Sequence, residues 1–286
     1  MTETARFTVA CAQMRSGQDP AANIAAADAL IREAAGRGAD IVMTPEMTSL
    51  MVTGRRALFE AIHPQDEDPA LAAFKALADE LSIWLLAGSL AIRVSETQAA
   101  NRSVLISPEG RVVATYDKIH MFDVDLDNGE SYRESRTYLA GDRGVVAALP
   151  WGRLGMTVCY DVRFPHLYRA LAQAGADFLS VPAAFTRQTG EAHWHVLLRA
   201  RAIETGTFVF APAQGGVHDN GRATYGHSLV VSPWGEILAE ADGEEPGVIL
   251  ATIDTAEIAR ARQRVPSLSH GRRFSIDTPS HLEVVS

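Results

Sequence analysis

Three reactive side-chain types follow three strand-like runs in this chain of 286 residues, and together they could perform acyl transfer. Glu46 comes just after the apolar run Ile41–Met43, Lys118 just after Arg111–Tyr116, and Cys159 directly after Leu154–Val158. In α/β sheets ligands sit outside the carboxyl ends of strands, so a carboxylate, an ammonium and a thiol delivered there can converge on one pocket. A free thiol with a pKa near ~8.5 is mostly protonated at neutral pH and needs a base or a positive neighbour. Glu46 can take that proton and Lys118 can favour the thiolate. When sulfur attacks a carbonyl, Lys118 and the backbone N–H of Tyr160 can receive the negative charge that grows on oxygen; one such donor contributes roughly 2.7–4 kcal/mol. Glu46 can then protonate a departing amine and activate the water that clears the thioester. The plainer reading makes Cys159 a buried inert thiol and Glu46 an exposed turn residue, and spacing alone leaves both readings open.

The elements that must position these groups alternate between strand and helix. Phe7–Ala12 reads as a strand, and Ile24, Ala27, Leu30, Ile31 and Ala34 form the apolar stripe of a helix. Residues 47–66 read as loop with some helix, 68–81 as helix, Ile83–Ile92 as strand, and 101–107 with 111–116 as a hairpin. Residues 117–144 form a long polar stretch without periodicity, the kind of loop that is more often functional than idle. Strands follow at 145–149 and 153–158, a helix to about Ala174, a strand at 178–181 and a helix over 190–205. Strands at 208–213, 228–232, 237–239 and 247–253 and a helix over 255–265 complete the chain. No repeat or linker interrupts this pattern, so a single domain over 1–286, α/β with a mixed sheet, is expected.

Composition narrows the function. The net charge of −9 argues against nucleic acid or a membrane surface as partner. The two cysteines, Cys11 and Cys159, make no disulfide framework and suit a reducing cytosol. Phe7–Ala12 is too short for a signal-peptide core, and no apolar run approaches the ~18 residues of a membrane span, so a cytoplasmic location is expected. Lys75 and Lys118 are the only lysines among 26 basic residues, which singles out the one at a strand end.

The segments TPEM around Glu46, YDKIHMFD around Lys118 and GMTVCYDVRFP around Cys159 resemble the three signatures of the nitrilase superfamily of carbon–nitrogen hydrolases, in the family's order. YRES (Tyr132–Ser135), AHWHVLLRARAIE (Ala192–Glu204), YGHSLVVSPWGEIL (Tyr225–Leu238) and the basic tail carry the resemblance over nearly the whole chain. It implies a four-layer αββα sandwich, a homodimer or larger homo-oligomer, and no metal or organic cofactor. Residue by residue it makes Cys159 the nucleophile, Glu46 the general base, Lys118 the oxyanion stabiliser and Glu134 a second glutamate that positions the lysine and the substrate. The tail from about residue 266 is expected at the oligomer interface.

Tyr160–Pro165 departs from the Trp-Glu-Asn that typically follows the cysteine of true nitrilases, and resembles instead the amidase branch near the mammalian Nit proteins; His166 stands where many relatives carry an acid. That branch implies a linear amide bearing carboxylates. Deaminated glutathione is favoured by RARAIET; an ω-amide such as 2-oxoglutaramate is the alternative. A cation should therefore line the pocket. Arg187 is the leading candidate, beside Phe185 and Thr186, with Arg133 and Arg163 behind it and His193 near the entrance; Arg163 is expected instead to pair with Asp161. A metal site from Glu191, His193 and His195 is disfavoured, because i and i+2 lie about 200° apart on a helix. A Cys–His pair using His120 or His227 is set aside in favour of the glutamate and lysine. From a different class, a non-catalytic interaction protein on an amidase scaffold is the distant alternative.

Overall fold

The apolar alternation and the Pro and Gly boundaries of the chain resolve into two six-stranded sheets in a computed structural model, which describes residues 5–126 and 129–278. The elements run β1 (Arg6–Gln13), α1 (Pro20–Gly36), β2 (Ile41–Met43), α2 (Arg55–Ala61), α3 (Pro69–Leu81), β3 (Trp84–Arg93), β4 (Ala99–Ile106) and β5 (Val112–Asp117). A small hairpin, β6 (Asp123–Asp125) with β7 (Ser131–Arg133), precedes β8 (Val145–Leu149), β9 (Gly152–Met156), α4 (Pro165–Gln173), β10 (Phe178–Ser180), α5 (Arg187–Thr205) and β11 (Phe208–Ala211). The second hairpin, β12 (Gly215–Val217) with β13 (Ala223–Tyr225), leads to β14 (Leu229–Val231), β15 (Ile237–Glu240), β16 (Gly247–Asp254) and α6 (Ala256–Arg264).

The first sheet has the order β16-β1-β2-β3-β4-β5 and the second β15-β14-β11-β10-β9-β8. In each, three central strands are parallel and the flanks antiparallel. Parallel neighbours need crossovers, which α1 and α3 supply on one side and α4 and α5 on the other. Asp19 and Asp68 cap α1 and α3, each accepting an N–H of the first turn just ahead of a proline that cannot donate one.

Side chains alternate as the pleat requires. Phe7, Val9, Ile41 and Met43 of the first sheet meet Leu154, Met156, Phe178 and Phe210 of the second, and Phe7 stacks on Trp151 at 4.4 Å. The opposite face of the first sheet, with Ala10, Val42, Leu85 and Val104, packs under Ile31 of α1 and Phe74 of α3. Leu171 of α4 and Leu198 of α5 belong to the core of the second sheet. The result is the αββα order. Among the described residues no helix is long and apolar enough to cross a membrane.

Three differences from the sequence reading bear on the site. The strand expected to reach Val158 ends at Met156, leaving Cys159 in a short 3-10 turn with φ of +47°. The stretch 117–144 contains the β6–β7 hairpin and a 3-10 turn at Glu134–Arg136, because cross-strand pairing holds it where periodicity is too short to show. The expected strand to Ala213 stops at Ala211, and residues 215–225 form a hairpin with no apolar alternation to mark it in the sequence.

Candidate active site

Glu46, Lys118 and Cys159 meet beyond the carboxyl ends of β2, β5 and β9 on the wall of a cavity of about 390 Å³. They are nearly closed to solvent, at 4%, 2% and 7% exposure, so charges there act on one another with little screening. Lys118 Nζ donates to Glu46 Oε1 at 2.9 Å and to Glu134 Oε1 and Oε2 at 3.0 and 2.8 Å. Asn101 Nδ2 donates to both carboxylates, at 2.9 Å to Glu46 and 3.0 Å to Glu134. Two backbone N–H groups complete the frame: Ala184 donates to Glu46 Oε2 at 2.8 Å and Phe122 to Glu134 Oε2 at 2.7 Å. The Cys159 thiol lies within hydrogen-bonding reach of the Glu46 carboxylate and of the Ala184 backbone.

The protonation states follow from this packing. Burial pushes the Cys159 thiol well above its ordinary value, and the neighbouring Glu46 carboxylate adds to that against the opposing Lys118 ammonium. Burial would raise the Glu46 carboxyl, but the Lys118 charge and hydrogen bonds from Cys159, Lys118 and Asn101 hold it below the usual carboxylate range. Lys118 is desolvated, yet Glu134 and Glu46 carry it well above the ordinary lysine value. The resting arrangement is thus a neutral thiol facing an ionised carboxylate beside a fixed ammonium, in which one proton transfer generates a nucleophile.

The local chain explains why the segments carrying Glu46 and Cys159 stay in place. Met47 and Cys159 both have left-handed backbones, with φ of +55° and +47°, a conformation that costs a non-glycine residue about 1–3 kcal/mol. The Ser89 hydroxyl accepts the Met47 N–H at 3.0 Å, and the Pro182 carbonyl accepts that of Cys159 at 2.9 Å. Asp161, fully buried, accepts from Val158 N at 2.9 Å, the Tyr116 hydroxyl at 2.7 Å and His120 N at 3.1 Å, and so ties the cysteine turn to the lysine strand. With the Cys159 N–H engaged, Tyr160 supplies the next backbone N–H of the turn, and Tyr160 also lines the cavity.

The structure separates the remaining sequence candidates. Phe185 and Thr186 line the cavity. Arg187 does not: it leaves the rim as α5 begins and pairs with Glu244 at 2.7 Å, so its charge is already matched. Arg133 lines the cavity but is held by both oxygens of Asp125 at 2.8 and 2.7 Å. His193 is outside the lining, with Nδ1 at 3.2 Å from Arg163 Nη1. Arg163 does not pair with Asp161, whose oxygens are taken by Tyr116, His120 and Val158; its guanidinium lies 5.1 Å from the centre of the Phe185 ring instead. His120 bonds Asp161 and stacks on Phe164 at 3.5 Å, and His195 and His227 both meet Glu240 Oε1, at 2.8 and 2.9 Å.

Two residues escaped the sequence reading. Asn101 sits inside a strand, where a lone asparagine carries no signal, and only the cross-strand geometry shows that it bridges two glutamates. Arg222 lines the cavity from the hairpin between β12 and β13, a segment with no apolar pattern to mark it.

A buried carboxylate, ammonium and thiol at facing strand ends of an αββα sandwich define a carbon–nitrogen hydrolase, and the chain belongs to that family, whose sequence profile (Carbon-nitrogen hydrolase) matches residues 8–263. Its relatives include proteins named deaminated glutathione amidase. The one from Synechocystis sp. is 40% identical over 268 residues, 92% of this chain and 97% of that protein. The one from Homo sapiens is 40% identical over 271 residues, 92% of this chain and 82% of that protein. Among solved structures, Saccharomyces cerevisiae Nit3, a member of branch 10 of the nitrilase superfamily, matches with a TM-score of 0.84 at 29% identity, covering 94% of this chain and 97% of that one. An amidase from Nesterenkonia sp. AN1, solved with the acetamide moiety of fluoroacetamide added covalently at its active site cysteine, matches at 0.77 and 25% identity, covering 92% and 96%.

Proposed function

We propose that this enzyme hydrolyses a linear, carboxylate-bearing amide through a thioester on Cys159, and that its substrate is deaminated glutathione. The observation that carries the mechanism is the meeting of Glu46, Lys118 and Cys159 on one cavity wall, with Lys118 Nζ 2.9 Å from Glu46 and 2.8 Å from Glu134. The Glu46 carboxylate takes the Sγ proton as sulfur bonds to the amide carbon, and the carbonyl π-pair moves onto oxygen. That oxyanion is met by Lys118 and the Tyr160 N–H. Glu46 passes its proton to the amide nitrogen, the C–N bond breaks and the amine leaves. Glu46 next removes a proton from water as its oxygen attacks the thioester carbon; collapse releases the acid, and the departing thiolate regains the proton from Glu46. Glu134 acts through Lys118, holding Nζ with both oxygens so that its direction does not vary during turnover. All of this lies in one catalytic unit spanning the chain, with amide and water as its only reactants.

The substrate rests on the names of the 40%-identical relatives and on the RARAIET segment. Purified protein with ω-amides should release amine or ammonia, and Cys159→Ala should abolish it; undiminished release from that variant would overturn the mechanism, and no release from the parent would leave the scaffold as an interaction protein. Comparing kcat/KM for deaminated glutathione and 2-oxoglutaramate decides the substrate, a clear preference for the smaller acid assigning an ω-amidase instead. We also infer a cytoplasmic homo-oligomer. Val196 and Ile203 of α5, Trp234 and Val265 are exposed large apolar side chains, and the tail beyond residue 266 crosses Arg169 and Glu204, with Phe274 and Ile276 exposed beyond it. Residues 279–286 of that tail lie outside the described residues.

A further inference from the structure

The cavity holds two carboxylates, Glu46 and Glu134, against the single ammonium of Lys118, so an anionic substrate needs a further cation on its wall. Arg133 is neutralised by Asp125, and Arg55 stands exposed at the mouth with Nη2 on the Thr97 carbonyl at 2.6 Å. Arg222 differs from both. Among the described residues it has no carboxylate partner, and its Nε is buried without any acceptor. Nη2 donates to the Ala184 carbonyl at 2.6 Å, Nη1 lies 3.6 Å from Met51 Sδ, and the guanidinium sits beside Tyr132, within hydrogen-bonding reach of its hydroxyl and 5.3 Å from the centre of its ring. A guanidinium has five N–H donors in a fork that matches a carboxylate, and the buried Nε–H among them has no oxygen to meet here.

The surroundings keep that fork in place. The hairpin tip is tied down where Asn220 Oδ1 accepts the Arg222 N–H at 3.0 Å and Asn220 Nδ2 donates to the Met51 carbonyl at 2.9 Å. The Tyr225 N–H donates to Phe185 O at 3.0 Å, joining the hairpin to the segment that carries Ala184. Ala184 in turn gives its N–H to Glu46, so one residue links the guanidinium to the proposed base. The side chain is immobilised before any ligand arrives, and little further ordering is required to bind an anion.

We propose that Arg222 anchors the carboxylate on the acyl half of the substrate, orienting the amide carbonyl toward Cys159. This rests on the amidase reading, since the two substrates weighed above carry the same 2-oxo acid on the acyl side of the amide. Arg222 would be a specificity residue that touches substrate without exchanging protons.

The test uses two probes of equal chain length, glutaramate and pentanamide, which differ by a carboxylate against a methyl group. Calorimetry in a Cys159→Ala background measures binding without turnover. Arg222→Met should lower glutaramate affinity about 30-fold, as expected for losing a charge-assisted pair, and change pentanamide affinity less than about 3-fold. Arg222→Lys, which retains a charge but no fork, should fall between and carries the test if the methionine variant melts early. Equal losses for both probes would show a merely structural role, and no loss for glutaramate would refute the anchor. Ammonia release by the intact enzyme is read separately: its absence overturns the amidase reading, while the binding contrast still decides Arg222.

Discussion

At the scale of single residues, the site depends on which of two acids holds a proton. Glu46 is ionised at neutral pH because Lys118, Cys159 and Asn101 outweigh the effect of burial, so its carboxyl loses charge only below the usual carboxylate range. As pH falls through that lowered value the base is protonated and kcat/KM should decline. Toward alkali the raised Lys118 and the raised Cys159 leave the resting state unchanged. The kcat/KM profile is therefore expected to be flat from about pH 6 to 9; a rising limb near the free-thiol value of ~8.5 would show instead that a pre-formed thiolate carries the reaction. Asn101→Leu removes one hydrogen bond that favours the charged form of Glu46. The acid limb should move upward by about one pH unit and kcat should fall about 10–100-fold, measured side by side with the parent enzyme. A pH profile that does not move would mean that Asn101 only fills space.

At the scale of elements, two turns and one close approach decide whether the three groups meet. The cysteine turn is locked because every hydrogen bond to the Asp161 carboxylate comes from a donor: Val158 N, the Tyr116 hydroxyl, His120 N and the His120 ring. In Asp161→Asn one oxygen becomes an NH2 that must face a donor, in a fully buried position. A loss of about 3 kcal/mol, or about 6–10 °C in Tm, is expected together with reduced activity. Unchanged melting would show that the turn is held by packing alone. Gly88 of β3 illustrates the close approach: a Cβ there would lie 1.8 Å from the Thr44 carbonyl and 2.7 Å from that of Pro45. Gly88→Ala should displace the Thr44–Glu46 turn. Soluble protein with parental activity from this variant would refute that tight fit.

At the scale of the whole molecule, the two sheets bring their strand ends to one rim because each carries a central parallel trio with helical crossovers on its outer face. The same layering leaves α5 at the surface with Val196 and Ile203 exposed at 68% and 52%. Ile203 lies against Gly235, beside exposed Trp234, and Arg264 reaches over the Trp234 ring, so the apolar residues are grouped rather than scattered. Val196→Glu with Ile203→Glu should shift the protein from an oligomer to a monomer on sizing chromatography; a monomeric parent, or a variant of unchanged size, would contradict an assembly through this face.

Much of this enzyme was legible in its amino-acid order, because the signals concerned are local. Alternating apolar residues, prolines after Asp19 and Asp68, and short runs ending near Glu46, Lys118 and Cys159 depend on neighbours a few positions away. The αββα layering, by contrast, is implied only by the family resemblance, because it depends on how two distant sheets pack. What tertiary structure decided is the partner of each charge. Arg187 and Arg222 are alike in sequence as polar-loop arginines, yet Glu244 neutralises the first and no carboxylate among the described residues meets the second. Asn101 and Asp161 likewise gain their parts from contacts 55 and 45 positions away, with Glu46 and Tyr116. The strength of an electrostatic group is set by its neighbours in space and by the water they exclude, and neither is written in spacing along the chain.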